Sequence, residues 1–377
     1  MRVLVDLLGY TGGRGGTETY VRELLPRLHE HLPGVELIAL TGRAGIVGVT
    51  AFFPGPVETI RWVGGGRATW AAGEIVAVNR TARRVGADLI WSPANFGPLT
   101  RGGAGRIVSV HDVIYHEVRG SGLAGLARSV TAWLMTRTAR SADRLLTVSD
   151  AAASAIARHL GVPPARISVV HNGSAEPRTV ENPWESLEPL GIDASRPLLL
   201  SAGNRMPHKN FVGLLDALAA LSPDQRPRSV IVGGGPDDPL TPAVAARGLD
   251  ADVVLPGWVS DDQLASLYSA AGVYACPSLV EGFGLPVVDA LRAECIVVAN
   301  DVPVLHEVGG EYAFYADATN PTAFAAAISR AFDLDRAAGD RRRSEGRAWA
   351  ERFNWDAAAE AVAAVLRSEL HTARTHE

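Results

Sequence analysis

Residues 277–294 read PSLVEGFGLPVVDALRAE, and this stretch says most about the fold of the chain. An apolar run at 273–275 precedes it, and apolar residues at helical spacing follow it, which predicts a strand, a turn and a helix. Gly282 and Gly284 permit close approach of the backbone to a ligand, and Pro286 suits the first turn of a helix. A strand that passes through a glycine turn into a helix is typical of a parallel α/β sheet.

Two carboxylates, Glu281 and Asp289, stand eight residues apart in the same stretch. Eight residues of helix make about two turns, so we expect the two side chains to contact opposite ends of one elongated ligand. Asp289 taken by itself also suits a solvated position on a surface helix.

A second turn of the same kind, SAGNRMPHKN at 201–210, carries Arg205 and Lys209 four residues apart. Positive charge is unfavourable at the start of a helix, so two cations there predict a bound anion, and a diphosphate would neutralise both. Lys209 is the one lysine in a chain with 35 arginines, which favours a role that needs a compact ammonium group. The alternative is a solvated basic turn.

A third glycine loop, TGGRGGTE at 11–18, follows an apolar run at 3–8 and opens an amphipathic helix. Gly15 and Gly16 would let the backbone approach a phosphate at the start of that helix, although such loops are often only tight turns. The loop does not match G-x-G-x-x-G with an acidic residue about 20 positions later. A nicotinamide dehydrogenase is therefore not favoured.

Strands and helices alternate through both halves of the chain, which predicts two α/β domains, each with a parallel sheet. The pattern lapses over 173–197, which is rich in Pro, Glu and Ser, and we place the domain boundary there. We assign residues 1–178 to a first domain, 190–354 to a second and 355–377 to a C-terminal helix. Further predicted strands lie at 36–40, 88–91, 106–110, 144–148, 167–170, 198–201, 228–232, 252–255 and 295–299, with helices near 209–221, 261–271 and 284–292.

Composition and charge exclude several classes of protein. Two cysteines cannot form a disulfide framework, and the first residues, MRVLVDLLGY, lack a basic leader and a cleavage site, so we expect a cytoplasmic protein. Arg, Asp or Pro breaks each long apolar run, so no membrane span is predicted. The formal charge is +7 over residues 1–178 and −12 over 179–377. This asymmetry predicts either an anionic partner of the first half, such as a membrane surface or a lipid phosphate, or scattered solvated arginines.

Apolar residues share one face of a candidate helix in the first half, and three arginines lie near them. This face predicts peripheral attachment to anionic lipid at the inner membrane face, or else packing of the helix on its own sheet. The apolar residues are Leu123, Leu126, Val130, Trp133 and Leu134, and the arginines are Arg128, Arg137 and Arg140.

The segment EGFGLPVVD, from Glu281 to Asp289, resembles the E-x7-E signature of retaining GT-B glycosyltransferases, specifically glycosyltransferase family 4, the glycosyl transferases group 1. Asp289 departs from the second Glu of that signature, and Glu294 stands where a small-residue turn such as Cys-Gly is common. The other motifs follow the order of the family over nearly the full length: Gly15-Gly16, the His-Asp pair at 111–112, the segments 147–173 and 255–278, GNRMPHKN at 203–210 and FNWD at 353–356.

The resemblance implies two Rossmann-like domains that face each other across a cleft, with the C-terminal helix crossing back to the first domain. The first domain would bind the acceptor and the second the nucleotide sugar. The implied catalytic residues are Arg205 and Lys209 at the diphosphate, Glu281 at the donor sugar and His111 lining that sugar. The implied donor-binding set, with Asp289 at the ribose, is Gly15, Gly16, Arg205, Lys209, Glu281, Gly282, Phe283, Gly284, Leu285 and Asp289.

The expected activity is retaining transfer of a hexose or deoxyhexose, with a mannosyl-like sugar favoured, in polysaccharide biosynthesis. The donor would be a GDP, UDP or dTDP sugar, and the acceptor a hydroxyl of a glycan, a lipid-linked or a small molecule. We expect no metal, no other cofactor and no nucleic acid, because no Asp-x-Asp pair stands at a strand end and no His/Cys cluster has ligand spacing. The alternative is a non-catalytic sugar-nucleotide-binding protein on a decayed transferase fold, which only Asp289 supports.

Overall fold

The structure is a computed structural model that describes residues 1–13, 15–118 and 122–375, without the side chains of residues 67, 122–124 and 373–375. The chain forms two compact units. Unit 1 comprises Met1–Gly173 with Asn354–Glu377, and unit 2 comprises Ser174–Phe353. No helix in the described part of the chain is long and apolar enough to cross a membrane.

Unit 1 contains a seven-stranded parallel sheet in the order β3-β2-β1-β4-β5-β6-β7. The first strand buries every residue after Arg2, because a central parallel strand is covered on both faces. Its strands are β1 (Arg2–Leu7), β2 (Glu36–Gly42), β3 (Val57–Ile60), β4 (Leu89–Ser92), β5 (Gly105–Ser109), β6 (Arg144–Thr147) and β7 (Ile167–Val169).

Helices connect most of these strands, and their apolar residues recur at the helical period. The first helix buries Tyr20, Val21, Leu24, Leu25 and Leu28 along one side, as the sequence pattern predicts. The helices are α1 (Gly16–Leu28), α2 (Ile46–Phe52), α3 (Arg67–Val76), α4 (Val78–Val85), α5 (Ile114–Glu117), α6 (Gly122–Ser141) and α7 (Asp150–Leu160).

Unit 2 contains a six-stranded parallel sheet in the order β10-β9-β8-β11-β12-β13. Its core lies between the sheet and two of its helices, where Leu199, Val273 and Val298 of the strands pack with Leu214 and Ile328. The strands are β8 (Leu198–Ala202), β9 (Arg228–Val232), β10 (Val253–Val254), β11 (Val273–Cys276), β12 (Ile296–Asn300) and β13 (Ala313–Ala316).

The helices of unit 2 begin at residues that suit helix starts. Ser260 and Gln263 form a reciprocal capping box at one of them, and prolines occupy the first turns of several others. The helices are α8 (Pro183–Leu187), α9 (Phe211–Ala220), α10 (Thr241–Ala245), α11 (Asp261–Ala270), α12 (Leu285–Arg292), α13 (Pro303–Gly309), α14 (Pro321–Phe332) and α15 (Arg336–Ala350).

The last helix, α16 (Trp355–Thr375), packs against α1 and so belongs to unit 1. The Trp355 ring meets the Tyr20 ring edge-on, with the ring centroids 6.4 Å apart, and Arg27 Nε donates to Asp356 at 3.1 Å. The chain approaches this helix so closely that a Cβ on Gly173 would lie 2.3 Å from the backbone nitrogen of Trp355. Only glycine fits at residue 173.

The predicted parallel α/β class is confirmed, and all the predicted strands are present within one or two residues at most ends. The sequence reading missed the short strands β3 and β13. The prediction that a helix joins Glu281 to Asp289 is wrong, because α12 begins only at Leu285 and Glu281 lies in the loop before it.

Candidate functional site

Ligands of open α/β sheets bind at the carboxyl ends of the strands, where the order of strands changes direction. In unit 2 this point lies between β8 and β11, because the chain passes from β8 to β9 on one side and later returns to β11 on the other. The turns that follow these strands are 203–210 and 277–284, the two turns of unit 2 that the sequence predicts to bind a donor. We call this place the unit 2 crevice.

An ion pair joins the two turns of the unit 2 crevice. Lys209 Nζ donates to Glu281 Oε1 at 2.6 Å, and only 16% and 11% of the two side chains is exposed. A pair so little exposed is weakly screened by water and salt. The unique lysine and the first signature acid, 72 residues apart in the sequence, therefore form one charged centre.

Hydrogen bonds of the backbone and of Asn300 hold these turns in place. The amide of Leu279 donates to the carbonyl of His208 at 2.8 Å, which ties the second turn to the first. Asn300 Nδ2, at the end of β12, donates to the carbonyl of Ser278 at 3.0 Å, and Asn300 Oδ1 accepts from the amide of Ala318 at 2.8 Å. The Lys209–Glu281 pair thus stands on a fixed backbone.

Arg205 forms a different set of contacts from Lys209. Its Nε and Nη2 donate to the carboxylate of Asp238 at 2.7–3.0 Å, and its remaining N–H groups donate to the carbonyls of Gly203, Ile231 and Val232 at 2.9–3.1 Å. A guanidinium has five N–H donors, and this set uses all of them. Burial favours a higher pKa for Asp238, but the bonds and charge of Arg205 together with the bond from the Leu240 amide hold the pKa below its usual value.

These contacts neutralise both cations from which the sequence predicts a bound anion. The surplus of positive charge at 201–210 predicts an anion from outside, yet Asp238 neutralises Arg205 and Glu281 neutralises Lys209. The protein itself provides both anions. A diphosphate that binds Arg205 has to displace Asp238 or a backbone carbonyl.

The glycines of GGGPDD at 233–238 make the Arg205–Asp238 pair possible. A Cβ on Gly234 would lie 1.8 Å from Asp238 Oδ2, and Gly233, at φ 107°, would place a Cβ 2.3 Å from the carbonyl oxygen of Gly203. The turns after β8 and β9 can therefore touch only without side chains here. The sequence reading missed Asp238, although a triple glycine at a strand end was a signal.

The turn after β11 leads into α12 through Gly284, whose φ of 96° favours glycine. Phe283 is buried and packs edge-on against Phe353, with the ring centroids 5.5 Å apart. The helix α12 therefore begins four residues after Glu281. Its first amides have no partner within the helix and give the start of the helix a partial positive charge. Gly282, Phe283, Gly284 and Leu285 connect Glu281 to the start of α12, and their binding of a donor stays a prediction.

Asp289, the second signature acid, lies in the second turn of α12 and accepts a hydrogen bond from Ser174 Oγ at 2.5 Å. Burial raises the pKa of Asp289 to about 6, against the opposing effects of the Ser174 bond and the Arg292 charge. Arg292 itself donates to the carbonyl of Ser174 and to Glu176. The shorter acid thus binds the first residues of unit 2, a partner that the sequence reading did not predict.

In unit 1 the change of strand order lies between β1 and β4. His111 follows β5, the next strand in the sheet, and is buried with its ring edge-on to Tyr20 at 4.7 Å. Its Nε2 lies 2.7 Å from the carbonyl of Pro93, so Nε2 carries the proton and Nδ1 is the acceptor. Burial lowers the pKa of His111, which keeps the ring neutral at pH 7. Asn95 Oδ1 accepts from the backbone amide of His111 at 2.6 Å.

The glycine loop at 11–18 contains Arg14, which lies outside the described residues. Gly15, at φ 149°, precedes the first residue of α1, Gly16. Glu18 Oε1 accepts from the amides of Thr11 and Gly13 at 3.4 and 3.3 Å. A carboxylate of the protein thus binds amides at the beginning of the loop, whereas phosphate binding at Gly15 and Gly16 stays a prediction.

A pair of buried carboxyl groups lies where β1 and β4 of unit 1 end. Ser92 Oγ donates to Asp6 at 2.9 Å, and Trp70 Nε1 donates to Glu74 at 2.8 Å. Burial raises the pKa of both carboxyl groups, and the charge of Asp6 raises the pKa of Glu74 further. The sequence reading found neither acid, because each stands alone in an apolar segment.

Two family models match the chain. The model described as Glycosyltransferase Family 4 matches residues 14–174, and the model described as Glycosyl transferases group 1 matches residues 183–349. Together they cover most of both units.

Curated relatives agree with these matches. The chain is 32% identical to O-antigen chain mannosyltransferase B of Escherichia coli over 222 residues, which are 57% of this chain and 58% of that protein. It therefore spans less than two thirds of the length of that relative. It is also 28% identical to D-inositol 3-phosphate glycosyltransferase of Streptomyces scabiei, over 97% of this chain and 89% of that enzyme.

Among solved structures, the chain resembles Anabaena HepE in complex with UDP-glucose, with a TM-score of 0.76 and 20% identity. The match covers 98% of this chain and 99% of that one. At this identity the likeness shows the fold, which is GT-B.

Proposed function

The chain belongs to glycosyltransferase family 4, the glycosyl transferases group 1, and we propose that it transfers a hexose or deoxyhexose with retention, without a metal, from a nucleotide diphosphate sugar to a hydroxyl group. The Lys209–Glu281 ion pair in the unit 2 crevice carries this proposal. It sets a compact cation and a carboxylate at the strand ends where open α/β sheets bind ligands.

Lys209 would act on the leaving group. As the glycosidic bond lengthens, negative charge builds on the departing diphosphate, and an ammonium already fixed in a little-exposed site stabilises that charge without reorganisation. The start of α12 would add its amides to the same anion. We infer metal independence from this supply of positive charge.

Glu281 would position the donor sugar. Its carboxylate already accepts from Lys209, so we assign it a positioning and electrostatic task and not that of a nucleophile. In the proposed route to retention, the acceptor hydroxyl attacks the face that the diphosphate leaves, and its proton passes to a phosphate oxygen. His111, with a neutral ring that offers Nδ1, would accept a hydrogen bond from a hydroxyl of the transferred sugar.

We assign Arg205 to holding the turn that carries Lys209. Its five N–H groups join that turn to the end of β9 and to Asp238, so its loss would free the turn and leave Asp238 buried without its cation. This assignment replaces the direct bond to the diphosphate that the sequence predicts for Arg205.

The relatives support the proposed class of donor. Anabaena HepE is seen with UDP-glucose, which supports a nucleotide-sugar donor, and an O-antigen mannosyltransferase supports a mannosyl-like sugar and polysaccharide biosynthesis. The acceptor would be a glycan, a lipid-linked molecule or a small molecule. A GDP or UDP donor is favoured over dTDP, because Asp289 can still accept a hydrogen bond from a ribose hydroxyl.

The test is turnover of UDP, GDP and dTDP sugars in the presence of excess chelator. We expect Lys209→Ala to lower kcat/KM at least ~100-fold, which is about 2.7 kcal/mol of transition-state stabilisation. The matched control is Arg247→Ala, which removes a cation from another 2.6 Å ion pair of unit 2, with Asp216, and should leave turnover unchanged. Arg205→Ala should lower the midpoint of thermal unfolding.

Full activity of Lys209→Ala would refute the assignment of the unit 2 crevice. Loss of turnover in chelator, restored by Mg²⁺ or Mn²⁺, would refute metal independence alone. Nucleotide binding without turnover of any donor would support a non-catalytic binding protein.

A further inference from the structure

The helix α6 of unit 1 carries a line of exposed apolar side chains. Leu126 is 63% exposed, Val130 51% and Trp133 61%, and each follows the last by one turn of helix. Arg137 and Arg140, which are also exposed, continue the same line at the next two turns. We call these five residues the α6 stripe.

The opposite side of α6 faces the core of unit 1. Ala132, Met135 and Ala139 are buried, and Met135 and Ala139 pack in one cluster with Ile156 and Leu160 of α7. The expectation that the apolar face of this helix packs on its own sheet is therefore wrong for Leu126, Val130 and Trp133. The side chain of Leu123 lies outside the described residues.

The charge of α6 has a single sign. Its 20 residues hold three arginines and no acidic residue, and none of the three forms an ion pair with an acid in the described part of the chain. Arg128 and Arg140 donate to the carbonyls of Val118 and Leu160, so their positive charges stay uncompensated. One face of α6 is thus apolar at Leu126, Val130 and Trp133 and cationic towards the C-terminal end of the helix.

We propose that the α6 stripe docks unit 1 on the surface of a bilayer that contains anionic lipid. Leu126 and Val130 would enter the boundary between the headgroups and the acyl chains. Trp133 stands between these apolar residues and the arginines of the stripe, and it would lie at the headgroup level that tryptophan prefers. Arg137 and Arg140 would meet lipid phosphates, where each cation near an anionic surface adds attraction that salt screens. The residues of unit 1, 21 of them arginines and 16 acidic, have a net charge of +5, which favours the same surface.

The position of α6 narrows the acceptor class. The helix begins shortly after β5 and His111, in the connection that leaves the carboxyl end of β5. A stripe that starts there would bring the carboxyl ends of the unit 1 strands to a membrane, where a lipid-linked acceptor presents its hydroxyl. This narrowing to lipid-linked acceptors rests on the proposed function, whereas the docking itself does not.

The test is flotation of the full chain with phosphatidylcholine vesicles, with and without phosphatidylglycerol, at low and high salt. We expect binding that needs phosphatidylglycerol and weakens as salt rises. Val130→Ser/Trp133→Ser should reduce the bound fraction at least ~10-fold, because it removes the apolar part of the stripe. Arg137→Gln should weaken binding only where phosphatidylglycerol is present.

The matched control is Val76→Ser/Trp62→Ser, which changes one valine and one tryptophan of unit 1 with 56% and 52% exposure. It should float as the unchanged chain does. Absence of binding to either vesicle overturns the proposal, as does equal loss in the control. Self-association that Val130→Ser/Trp133→Ser abolishes, without flotation, overturns it in favour of a second copy. Flotation without turnover of any nucleotide sugar refutes the proposed function and leaves the docking intact.

Discussion

Arg205 and Lys209 show how two residues of one sequence pattern divide into different tasks. Both are cations in the same turn, yet Arg205 has a planar fork that fits a carboxylate and backbone carbonyls, whereas the lysine ammonium is a compact charge. The structure gives Arg205 to Asp238 and Lys209 to Glu281. In the proposed function Lys209 therefore acts on the ligand, and Arg205 holds the turn in place.

Asp289 should make nucleotide binding depend on pH. With a pKa of about 6, its carboxyl is ionised at pH 7.5 and protonated at pH 5, and only the carboxylate is a strong acceptor for a ribose hydroxyl. We expect Asp289→Asn to weaken binding of GDP or UDP about 10-fold or more at pH 7.5, since a hydrogen bond to a charged acceptor is worth ~1.5–3 kcal/mol. At pH 5 the two proteins should bind alike. Calorimetric titration at both pH values measures the ratio of the dissociation constants of Asp289→Asn and the unchanged chain.

The control for that experiment is Ser174→Ala. The hydroxyl of Ser174 lowers the pKa of Asp289, so its removal should move the midpoint of the pH dependence upward. The phosphates of the nucleotide also titrate in this range. Their titration cancels in the ratio of the dissociation constants of Asp289→Asn and the unchanged chain at each pH, because both proteins bind the same nucleotide. A ratio that stays near one at both pH values would show that Asp289 does not contact the ribose.

At the scale of elements, the end of α12 carries a strained residue. Glu294 follows the helix with φ 61°, a left-handed conformation that costs a residue with a side chain roughly 1–2 kcal/mol and that glycine adopts freely. Its carboxylate gains only an exposed ion pair with Arg347 at 3.0 Å, which is worth ~0–1 kcal/mol.

We expect Glu294→Gly to be more stable than Glu294→Ala by about 1 kcal/mol. Both variants lose the ion pair with Arg347, so the difference between them isolates the backbone. Urea unfolding followed by circular dichroism measures it. Equal stability of the two variants would mean that the turn relaxes away from the left-handed region when the side chain is shortened.

Most of the elements could be predicted, and those that were missed have a physical reason. Strands buried on both faces read as apolar runs, whereas β3 is a half-buried edge strand, VETI, without such a run. In the site, Lys209 and Glu281 could be predicted because each stands in a glycine turn after a strand. The bonds that join Asp238 to Arg205 and Ser174 to Asp289 could not be predicted, since only the folded topology brings these residues together across 33 and 115 residues of sequence.

At the scale of the whole molecule, both units have a parallel sheet with the same kind of strand order, but the side chains at the point where that order turns differ. Each sheet has its first strand inside, so each has a point where the strand order turns, between β1 and β4 or between β8 and β11. In unit 2 that point holds the Lys209–Glu281 ion pair. In unit 1 it holds two buried acids, Asp6 and Glu74, whose pKa values burial raises.

This acid pair should make the molecule less stable as pH rises. The folded pKa of Glu74 lies well above its unfolded value of about 4.5, so the stability it contributes is complete below pH 4.5 and is lost as pH rises through the folded pKa. We expect Glu74→Gln to be more stable than the unchanged chain at pH 8, on the order of 1–3 kcal/mol, because an amide needs no proton and can donate to Asp6. Its carbonyl keeps the bond from Trp70.

Urea unfolding between pH 4.5 and 8 tests this expectation, because the unfolding free energy of the unchanged chain should fall with pH more steeply than that of Glu74→Gln. Glu74→Ala is the control, since it also removes the ionisation but leaves Trp70 and Asp6 without their partner and opens a cavity. It should be destabilised throughout and share the shallow slope. Identical slopes for Glu74→Gln and the unchanged chain would show that Glu74 titrates in the folded chain as it does in the unfolded chain.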